Sequence, residues 1–214
     1  MPSANELAPS SVSTSAVVFD LGGVLIDWNP RHLYRSLFDG DDDAMEDFLT
    51  TVTTPDWNLE QDRGRPFAVA IEELVERHPH HEAMIRAYWA RWREMIKGPI
   101  HETVAVLADL QGRGIPLYAL TNWSAETFAV ARHEFEFLGW FEGIVVSGEE
   151  RLAKPDEAIF RLLLERYHLA PRRTVYIDDS RANVEQARRL GLDAIYFRGA
   201  QELREDLRAR DLID

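Results

Sequence analysis

The apolar residues divide the chain into an isolated apolar run, a long helical segment, and a series of alternating strands and helices. Val17-Val18-Phe19 is apolar and leads into Asp20 and two nearby glycines, a pattern that favours a buried parallel strand followed by a tight turn. Apolar runs bounded by turn signals predict four further strands, at residues 115–120, 143–146, 174–177 and 194–197. Helical patterns separate them, so the sequence predicts an α/β fold with right-handed βαβ units and a five-stranded parallel sheet.

Residues 28–97 differ from the rest because their apolar positions recur at helical spacing throughout. Arg31–Phe38 and Asp43–Val52 are amphipathic, and Gly64-Arg65-Pro66 opens a third helix. His80–Lys97 carries an aromatic stripe at helical spacing, which we interpret as core. We therefore expect an all-helical insert of about four helices with no strand inside it.

This pattern sets the predicted division of the chain. Residues 16–27 and 98–214 form the α/β core, and residues 28–97 form a domain inserted after the first strand. Residues 1–15 are rich in Ser, Ala, Pro and Thr and contain no Lys or Arg. We expect a disordered tail there and not a secretory signal.

Composition narrows the classes of function. The chain has 214 residues, 45% of them hydrophobic, which is enough for one good core and a smaller module. The lack of cysteine excludes disulfides, thiolate metal sites and a cysteine nucleophile. A formal net charge of −13 and the absence of an apolar run of membrane length argue against nucleic-acid and membrane partners. We expect a cytoplasmic protein, either a monomer or a homodimer.

Polar residues follow several predicted strands directly. Asp20, Thr121-Asn122 and Asp178-Asp179 each stand at a strand end, and Lys154 precedes a helix. The carboxyl ends of parallel strands meet at one edge of a sheet, so these groups should lie together. Clustered carboxylates suit a hard cation, above all Mg²⁺. A lysine, a hydroxyl and free backbone N–H groups suit a phosphate.

With these motifs the chain resembles the haloacid dehalogenase-like (HAD) hydrolase superfamily from about Val17 to the last strand. Asp20 stands where the family has its nucleophile, and the second to fourth motifs match Thr121-Asn122, Lys154-Pro155 and Tyr176-Ile177-Asp178-Asp179-Ser180 with Asn183. The resemblance implies a Rossmann-like three-layer core with the Asp20 strand in its middle, and it makes the helical insert the family's small cap. Within the family, the sequence around Asp20 is similar to sugar-phosphate phosphatases and to the phosphatase domain of soluble epoxide hydrolases.

The resemblance also implies a mechanism for a Mg²⁺-dependent phosphatase acting on a small phosphorylated metabolite. Asp20 would attack phosphorus and form an aspartyl-phosphate. Mg²⁺ would be held by Asp20, Asp179 and the backbone carbonyl of Gly22, with Asp178 beside the metal or supporting its ligands. Lys154 would keep Asp20 ionised and, together with Thr121 and Asn122, bind the phosphoryl oxygens.

Gly22 departs from the phosphatase pattern, which has a second Asp at this position as general acid and base. Without it, we expect cleavage to depend steeply on the pKa of the leaving group, unless Asp27 or a cap residue supplies the proton. Haloacid dehalogenases also lack this acid, so a metal-independent 2-haloacid dehalogenase is the alternative. The acidic pair Asp178-Asp179 favours the phosphatase, because dehalogenation needs no metal.

Two other classes of protein share part of this set of motifs. A response-regulator receiver also combines Asp, Thr and Lys with Mg²⁺, but its acidic pair lies near the first strand and it has no helical insert. A non-catalytic HAD-like binding protein would share these motifs and turn over no phosphate ester. Four stretches are predicted to face the site from the cap or its loops, with packing as the alternative for the two tryptophans: Trp28, Arg31, Asp62-Arg63-Gly64 and Trp123.

Overall fold

The computed structural model describes residues 14–214. The predicted tail lies outside the described residues as far as residue 13. Ser15, which the sequence placed in that tail, belongs to the fold, because its N–H donates to the carbonyl oxygen of Arg173 at 2.7 Å.

A five-stranded parallel sheet forms the centre of the molecule, as predicted. Its strands are β1 (Ala16–Phe19), β4 (Leu117–Thr121), β5 (Gly143–Val146), β6 (Thr174–Asp178) and β7 (Asp193–Tyr196). They are ordered β5-β4-β1-β6-β7, and every neighbouring pair is parallel. Phe19 lies between Ala119 and Ile177 in register, so the polar residues that follow the three central strands emerge at one edge.

Helices cover both faces of this sheet and produce three layers. Side chains of β1 alternate between two hydrophobic clusters: Val17 and Phe19 belong to one, Ala16 and Val18 to the other. The first cluster includes residues of α6 (His101–Gly112), α7 (Ala125–Glu134) and α11 (Ala200–Arg208), and the second includes residues of α9 (Glu157–Arg166) and α10 (Arg181–Arg189). A short helix, α8 (Ser147–Glu150), follows β5 directly. Strands buried on both faces explain the continuous apolar runs of the sequence.

The inserted segment is a helical cap with its own hydrophobic core. Its helices are α1 (Arg31–Leu37), α2 (Asp42–Thr51), α3 (Pro55–Asp62), α4 (Phe67–Arg77) and α5 (Glu82–Ala90). All five contribute buried side chains to one cluster, which includes Tyr34, Phe48, Trp57, Leu74 and Tyr88. The cap therefore folds around its own apolar residues and not against the sheet.

Two details of the predicted cap are wrong. The helix predicted at His80–Lys97 ends at Ala90, and residues Ile96–Pro99 instead form a strand, β3, that pairs antiparallel with β2 (Ile26–Trp28). The chain enters and leaves the cap at this ribbon, and the two crossings satisfy each other's backbone groups. Helix α3 is the other difference, because the sequence predicted no helix between residues 52 and 64.

No helix within residues 14–214 is both long and apolar enough to cross a membrane.

Candidate active site

Three carboxylates meet at the carboxyl edge of the sheet. Asp20 follows β1, Asp178 ends β6, and Asp179 comes next. Each offers an oxygen to a group whose members lie within 4.8 Å of one another. Like charges at this separation repel, so the cluster needs a cation, and hard oxygen ligands of this kind fit Mg²⁺.

Lys154 supplies one positive charge from beneath the cluster. Its Nζ lies 2.9 Å from Asp20 Oδ1 and 2.8 Å from Asp178 Oδ2, and it donates to the carbonyl oxygen of Leu120 at 2.9 Å. The side chain is buried, with 2% of the residue exposed. Burial alone would lower the pKa of Lys154, but Asp178 and Asp20 together raise it above its ordinary value. The lysine is therefore a fixed cation.

Asp178 is saturated with hydrogen-bond donors. Besides Lys154, it accepts from the Tyr176 hydroxyl, from the Ser180 N–H at 2.7 Å, and from Asn183 Nδ2 at 3.0 Å to each oxygen. These donors occupy the lone-pair directions of both carboxylate oxygens. Asp178 is thus built to hold the lysine and the loop after β6 in place.

Asp20 is the buried carboxylate that faces the open side of the cluster. Only 8% of the residue is exposed, and the Leu21 N–H donates to Oδ1 at 2.7 Å. Burial raises the pKa of Asp20 to about 7; Lys154 opposes this shift and the charge of Asp178 adds to it. A divalent cation at this edge would favour the ionised form that a nucleophile needs.

The turn after Asp20 contains a glycine, Gly23, that allows the Asp179 carboxylate to lie close to the backbone of the turn. Gly23 has a φ of +75°, and a Cβ added there would collide with the Asp179 carboxylate. A Cβ added at Gly22 would meet no atom within 4 Å. Burial, and then the charge of Asp178, raise the pKa of Asp179. Any side chain at Gly23 would therefore displace the Asp179 carboxylate from its present position, whereas space is open beside Gly22.

Thr121 and Asn122 end the neighbouring strand β4. Thr121 is buried, with 1% of the residue exposed. Asn122 makes a reciprocal pair with the backbone of Lys154: its Nδ2 donates to the Lys154 carbonyl oxygen at 2.9 Å, and its Oδ1 accepts from the Lys154 N–H at 2.8 Å. The Asn122 side chain consequently positions the lysine loop and keeps one N–H for another acceptor.

Two cavities open from this edge toward the cap. The larger, of about 640 Å³, is lined by Asp20, Lys154 and Asp179 on the core side and by Arg31, Pro55 and Leu59 on the cap side. The smaller, of about 60 Å³ and here called the aromatic cavity, is lined by four aromatic residues, Trp28, Phe67, Trp92 and Trp123, together with Gly22 and four polar residues. Four residues line both cavities: Gly22, Trp28, Asp62 and Asn122. The site therefore has two compartments, one bordered by the carboxylate cluster and one bordered by aromatic side chains.

The residues predicted to face the site from the cap and its loops divide into two groups. Trp28 and Trp123 line the aromatic cavity, and Arg31 lines the larger one, where its Nη2 also donates to Glu46 Oε2 at 2.6 Å. Arg63 instead bridges the domains at the surface, with Nη2 3.1 Å from Asp156 Oδ2. The structure brings the tryptophans and Arg31 to the cavities and directs Arg63 to an ion pair.

The sequence pointed to Asp62 as part of a stretch facing the site, and Asp62 lines both cavities, but the helix α3 that carries it and the neighbouring Asn58 were missed. Asn58 and Asp62 lie one turn apart on this helix, and Asn58 Nδ2 donates to Asp62 Oδ2 at 2.9 Å. Thr54, whose hydroxyl caps the helix by accepting from the Trp57 N–H, and Pro55 at the first helical position are the signals that could have revealed α3.

Comparison with protein families gives one broad match. A family model described as haloacid dehalogenase-like hydrolase matches residues 14–191. The matched span includes the whole carboxylate cluster, Lys154, and the entire cap.

Phosphatases are among the proteins to which the chain is similar in sequence. The chain is 25% identical over 183 residues to a sesquiterpene phosphatase of Aspergillus oryzae, covering 85% of this chain and 89% of that protein. It is 25% identical over 189 residues to a phosphorylated carbohydrates phosphatase of Thermotoga maritima, covering 85% and 83%.

Among solved structures, a HAD family enzyme of Bacteroides thetaiotaomicron has the same fold, with a TM-score of 0.68 and 24% identity over 87% of this chain and 94% of that one. The same enzyme has been solved in complex with magnesium and inorganic phosphate.

Proposed function

Since the chain belongs to the haloacid dehalogenase-like hydrolase family, we propose that it is a Mg²⁺-dependent phosphatase that hydrolyses a small phosphorylated metabolite. The observation that carries this proposal is the cluster of Asp20, Asp178 and Asp179 around the buried Lys154. Three carboxylates with one ammonium leave an excess of negative charge, which a divalent cation and its phosphate ligand would balance.

The role of each carboxylate follows from how many hydrogen bonds its oxygens already accept. Asp20, Asp179 and the backbone carbonyl of Gly22 would hold the metal, because Asp178 is already occupied by four donor groups. When bound, Mg²⁺ supplies charge stabilisation to the phosphoryl oxygens. Asp178 fixes Lys154, and Lys154 keeps Asp20 oriented and favours its ionised form.

Asp20 then acts as the nucleophile. One of its oxygens attacks phosphorus, the bond from phosphorus to the ester oxygen breaks, and an aspartyl-phosphate forms. Lys154, Thr121 and the remaining N–H of Asn122 stabilise the charge that develops on the phosphoryl oxygens. Water subsequently attacks phosphorus and releases inorganic phosphate and Asp20.

The aromatic cavity supplies a basis for substrate selection. At about 60 Å³ it has room for roughly four water-sized groups, and Trp28 and Trp123 line it. We propose that it receives the apolar part of the leaving group, while the phosphate lies in the larger cavity. The relatives are named as a sesquiterpene phosphatase and a phosphorylated carbohydrates phosphatase, and a cavity of about 60 Å³ has room for only a small apolar part of a leaving group.

A 2-haloacid dehalogenase is the second candidate, and Gly22 is the observation that favours it. Halide leaves without a proton, so the reaction needs no acid at that position. It also needs no metal, which leaves the close approach of Asp179 to Asp20 without a purpose. The phosphatase accounts for both acids of the fourth motif.

Turnover of phosphate monoesters tests the proposal. Purified protein is assayed for release of inorganic phosphate from a panel of phosphorylated metabolites and aryl phosphates, with Mg²⁺ and with chelator. We expect hydrolysis that requires Mg²⁺ and that Asp20→Asn abolishes. Release of halide from a 2-haloacid in chelator, with no phosphate release, would establish the dehalogenase; inactivity on both substrate classes would favour a binding protein.

We also propose a cytoplasmic location and a monomeric or homodimeric state, in keeping with the formal net charge of −13 and the absence of cysteine. Cell fractionation and light scattering of the purified protein test these two points separately.

A further inference from the structure

The leaving oxygen of a phosphate ester needs a proton, and Gly22 has no side chain to give one. The need for a proton donor depends on the proposed phosphatase activity. The space where an acid would project from Gly22 is open, since an added Cβ would meet no atom within 4 Å. A proton donor must therefore reach the site from elsewhere if the enzyme is to cleave alkyl phosphates well.

Asp62 lies at the required place. It is the last residue of α3 in the cap, and it lines both the phosphate cavity and the aromatic cavity. Of the four residues that the two cavities share, the others being Gly22, Trp28 and Asn122, Asp62 alone carries a carboxyl group. The bond to be broken joins the two ends of the substrate, and Asp62 stands where those two ends meet.

Hydrogen bonds within the cap hold the Asp62 carboxyl in position. Asn58 Nδ2 donates to Asp62 Oδ2 at 2.9 Å, and the hydroxyl of buried Tyr88 donates in turn to Asn58 Oδ1 at 2.8 Å. A carboxyl group oriented in this way by two linked side chains is preorganised for its task.

The surroundings of Asp62 also suit an acid that works near neutral pH. Burial raises the pKa of Asp62 to about 7, although the Ser124 N–H and the charge of Lys154 act in the opposite direction. A general acid is most effective when its pKa lies near the operating pH.

The other nearby carboxyl groups are less well placed. Asp27 is half-exposed and paired with His32, whose Nε2 lies 2.8 Å from Oδ1. Asp56 lines only the larger cavity, and Asp20, Asp178 and Asp179 are committed to the nucleophile and the metal. We propose that Asp62 is the general acid and base of this enzyme, supplied by the cap in place of the acid that Gly22 lacks.

Asp62 gives up one proton and regains one within each turnover. While Asp20 attacks phosphorus, the protonated Asp62 gives its proton to the ester oxygen, which leaves as an alcohol. The Asp62 carboxylate then takes a proton from the water that attacks the aspartyl-phosphate. Inorganic phosphate is released, Asp20 is free again, and Asp62 is protonated for the next cycle. Because this donor is present, the steep dependence on leaving-group pKa expected from Gly22 alone should not occur.

Single-turnover kinetics with two substrates test the assignment. The rate of ester cleavage is measured for 4-nitrophenyl phosphate, whose leaving group needs no proton, and for an alkyl phosphate, whose leaving group does. Asp62→Asn should slow the alkyl phosphate by about 10²–10⁴-fold and change the aryl phosphate by less than about tenfold. Asp27→Asn, the matched control on a half-exposed acid of the β2–β3 ribbon, should change neither rate.

Introducing an acid at the open position should rescue the defect. In the Asp62→Asn background, Gly22→Asp is expected to restore most of the alkyl phosphate rate, because a Cβ fits there without collision. If Asp62 were only a latch between cap and core, Asp62→Asn would slow both substrates alike and Gly22→Asp would restore neither; that result overturns the proposal. An unchanged alkyl rate in Asp62→Asn overturns it as well. Failure of the unmodified protein to cleave either ester contradicts the proposed function itself and is thereby distinguished.

Discussion

At the scale of single residues, the site depends on one buried cation between two buried anions. Lys154 joins Asp20 and Asp178, and each of the three residues is less than 10% exposed, at 2%, 8% and 0%. Removing one partner of a buried ion pair leaves the others uncompensated, which costs far more than the pair contributes when intact. Lys154 therefore contributes both to the stability of the fold and to the chemistry of the site.

Lys154→Ala should therefore lower both stability and turnover. We expect the free energy of unfolding in chelator to fall by about 3–5 kcal/mol, and turnover of any phosphate ester to fall by at least about 10²-fold. Urea denaturation and steady-state assays measure the two effects. Lys97→Ala, which removes an exposed lysine of β3, is the control and should change neither; equal effects of the two substitutions would contradict this role for Lys154.

The pKa of Asp20 makes a second prediction at this scale. Burial raises it from the ordinary 3.8 to about 7, so the folded chain keeps a proton that the unfolded chain has already released. The contribution of Asp20 to stability is then fully present below about pH 4 and is lost as the pH rises through about 7. In chelator, the stability of the unmodified protein relative to Asp20→Asn should fall over this range. A constant difference would show that the pKa of Asp20 is not shifted by folding, and a rising one that folding lowers it; either result would contradict the raised pKa.

At the scale of elements, the turn between β1 and β2 determines whether the cluster can form. Gly23→Ala places a Cβ against the Asp179 carboxylate at a φ of +75°. We expect a higher Mg²⁺ requirement, because Asp179 must move away. Gly40→Ala shares the strain of a positive φ, at +83°, but meets no atom within 4 Å. It should lose roughly 1 kcal/mol of stability and keep the Mg²⁺ requirement unchanged.

Metal titrations of activity compare these two variants directly. An unchanged Mg²⁺ requirement in Gly23→Ala would mean that Asp179 does not take part in holding the metal.

The elements that the sequence predicted well are those defined by local signals. All five strands of the parallel sheet were found, because each is an apolar run close to turn-forming or acidic residues and buried parallel strands have this pattern, whereas β2 and β3 of the short ribbon were missed. Helix α3 was missed because its sequence, Pro-Asp-Trp-Asn-Leu-Glu-Gln-Asp, is mostly polar and has no apolar stripe. The last cap helix was extended too far because its apolar spacing continues through Trp92 and Ile96, where pairing with β2 outweighs local preference.

At the scale of the whole molecule, the site lies between two bodies with separate cores. Residues at the strand ends could be placed from the sequence, because sheet topology alone brings Asp20, Thr121 and Asp178 to one edge. The cap residues could be placed only in part, because their approach depends on how two separately folded units pack: Trp28 and Arg31 line the cavities, whereas Arg63 does not. Arg63 and Asp62 are adjacent in sequence, yet one forms a surface ion pair and the other lines both cavities.

Trp28 tests this arrangement because it lines both cavities and packs against both the sheet cluster and the cap cluster. Trp28→Ala should raise KM for a substrate with an apolar leaving group by about tenfold, the effect of a lost contact in a hydrophobic pocket. Trp140→Ala removes a partly buried tryptophan that packs only against the sheet cluster. It should lower stability and leave KM unchanged, and equal KM values for the two variants would contradict the placement of the leaving group.

In the proposed mechanism, Asp20 carries the phosphoryl group during turnover. The most direct measurement stops the reaction of an aryl phosphate with acid during the first turnover and locates the bound phosphate by peptide mass spectrometry. We predict phosphate on the peptide that contains Asp20 when Mg²⁺ is present, and none in chelator or in Asp20→Asn. Phosphate on a different residue, or hydrolysis by Asp20→Asn at the unmodified rate, would contradict the account.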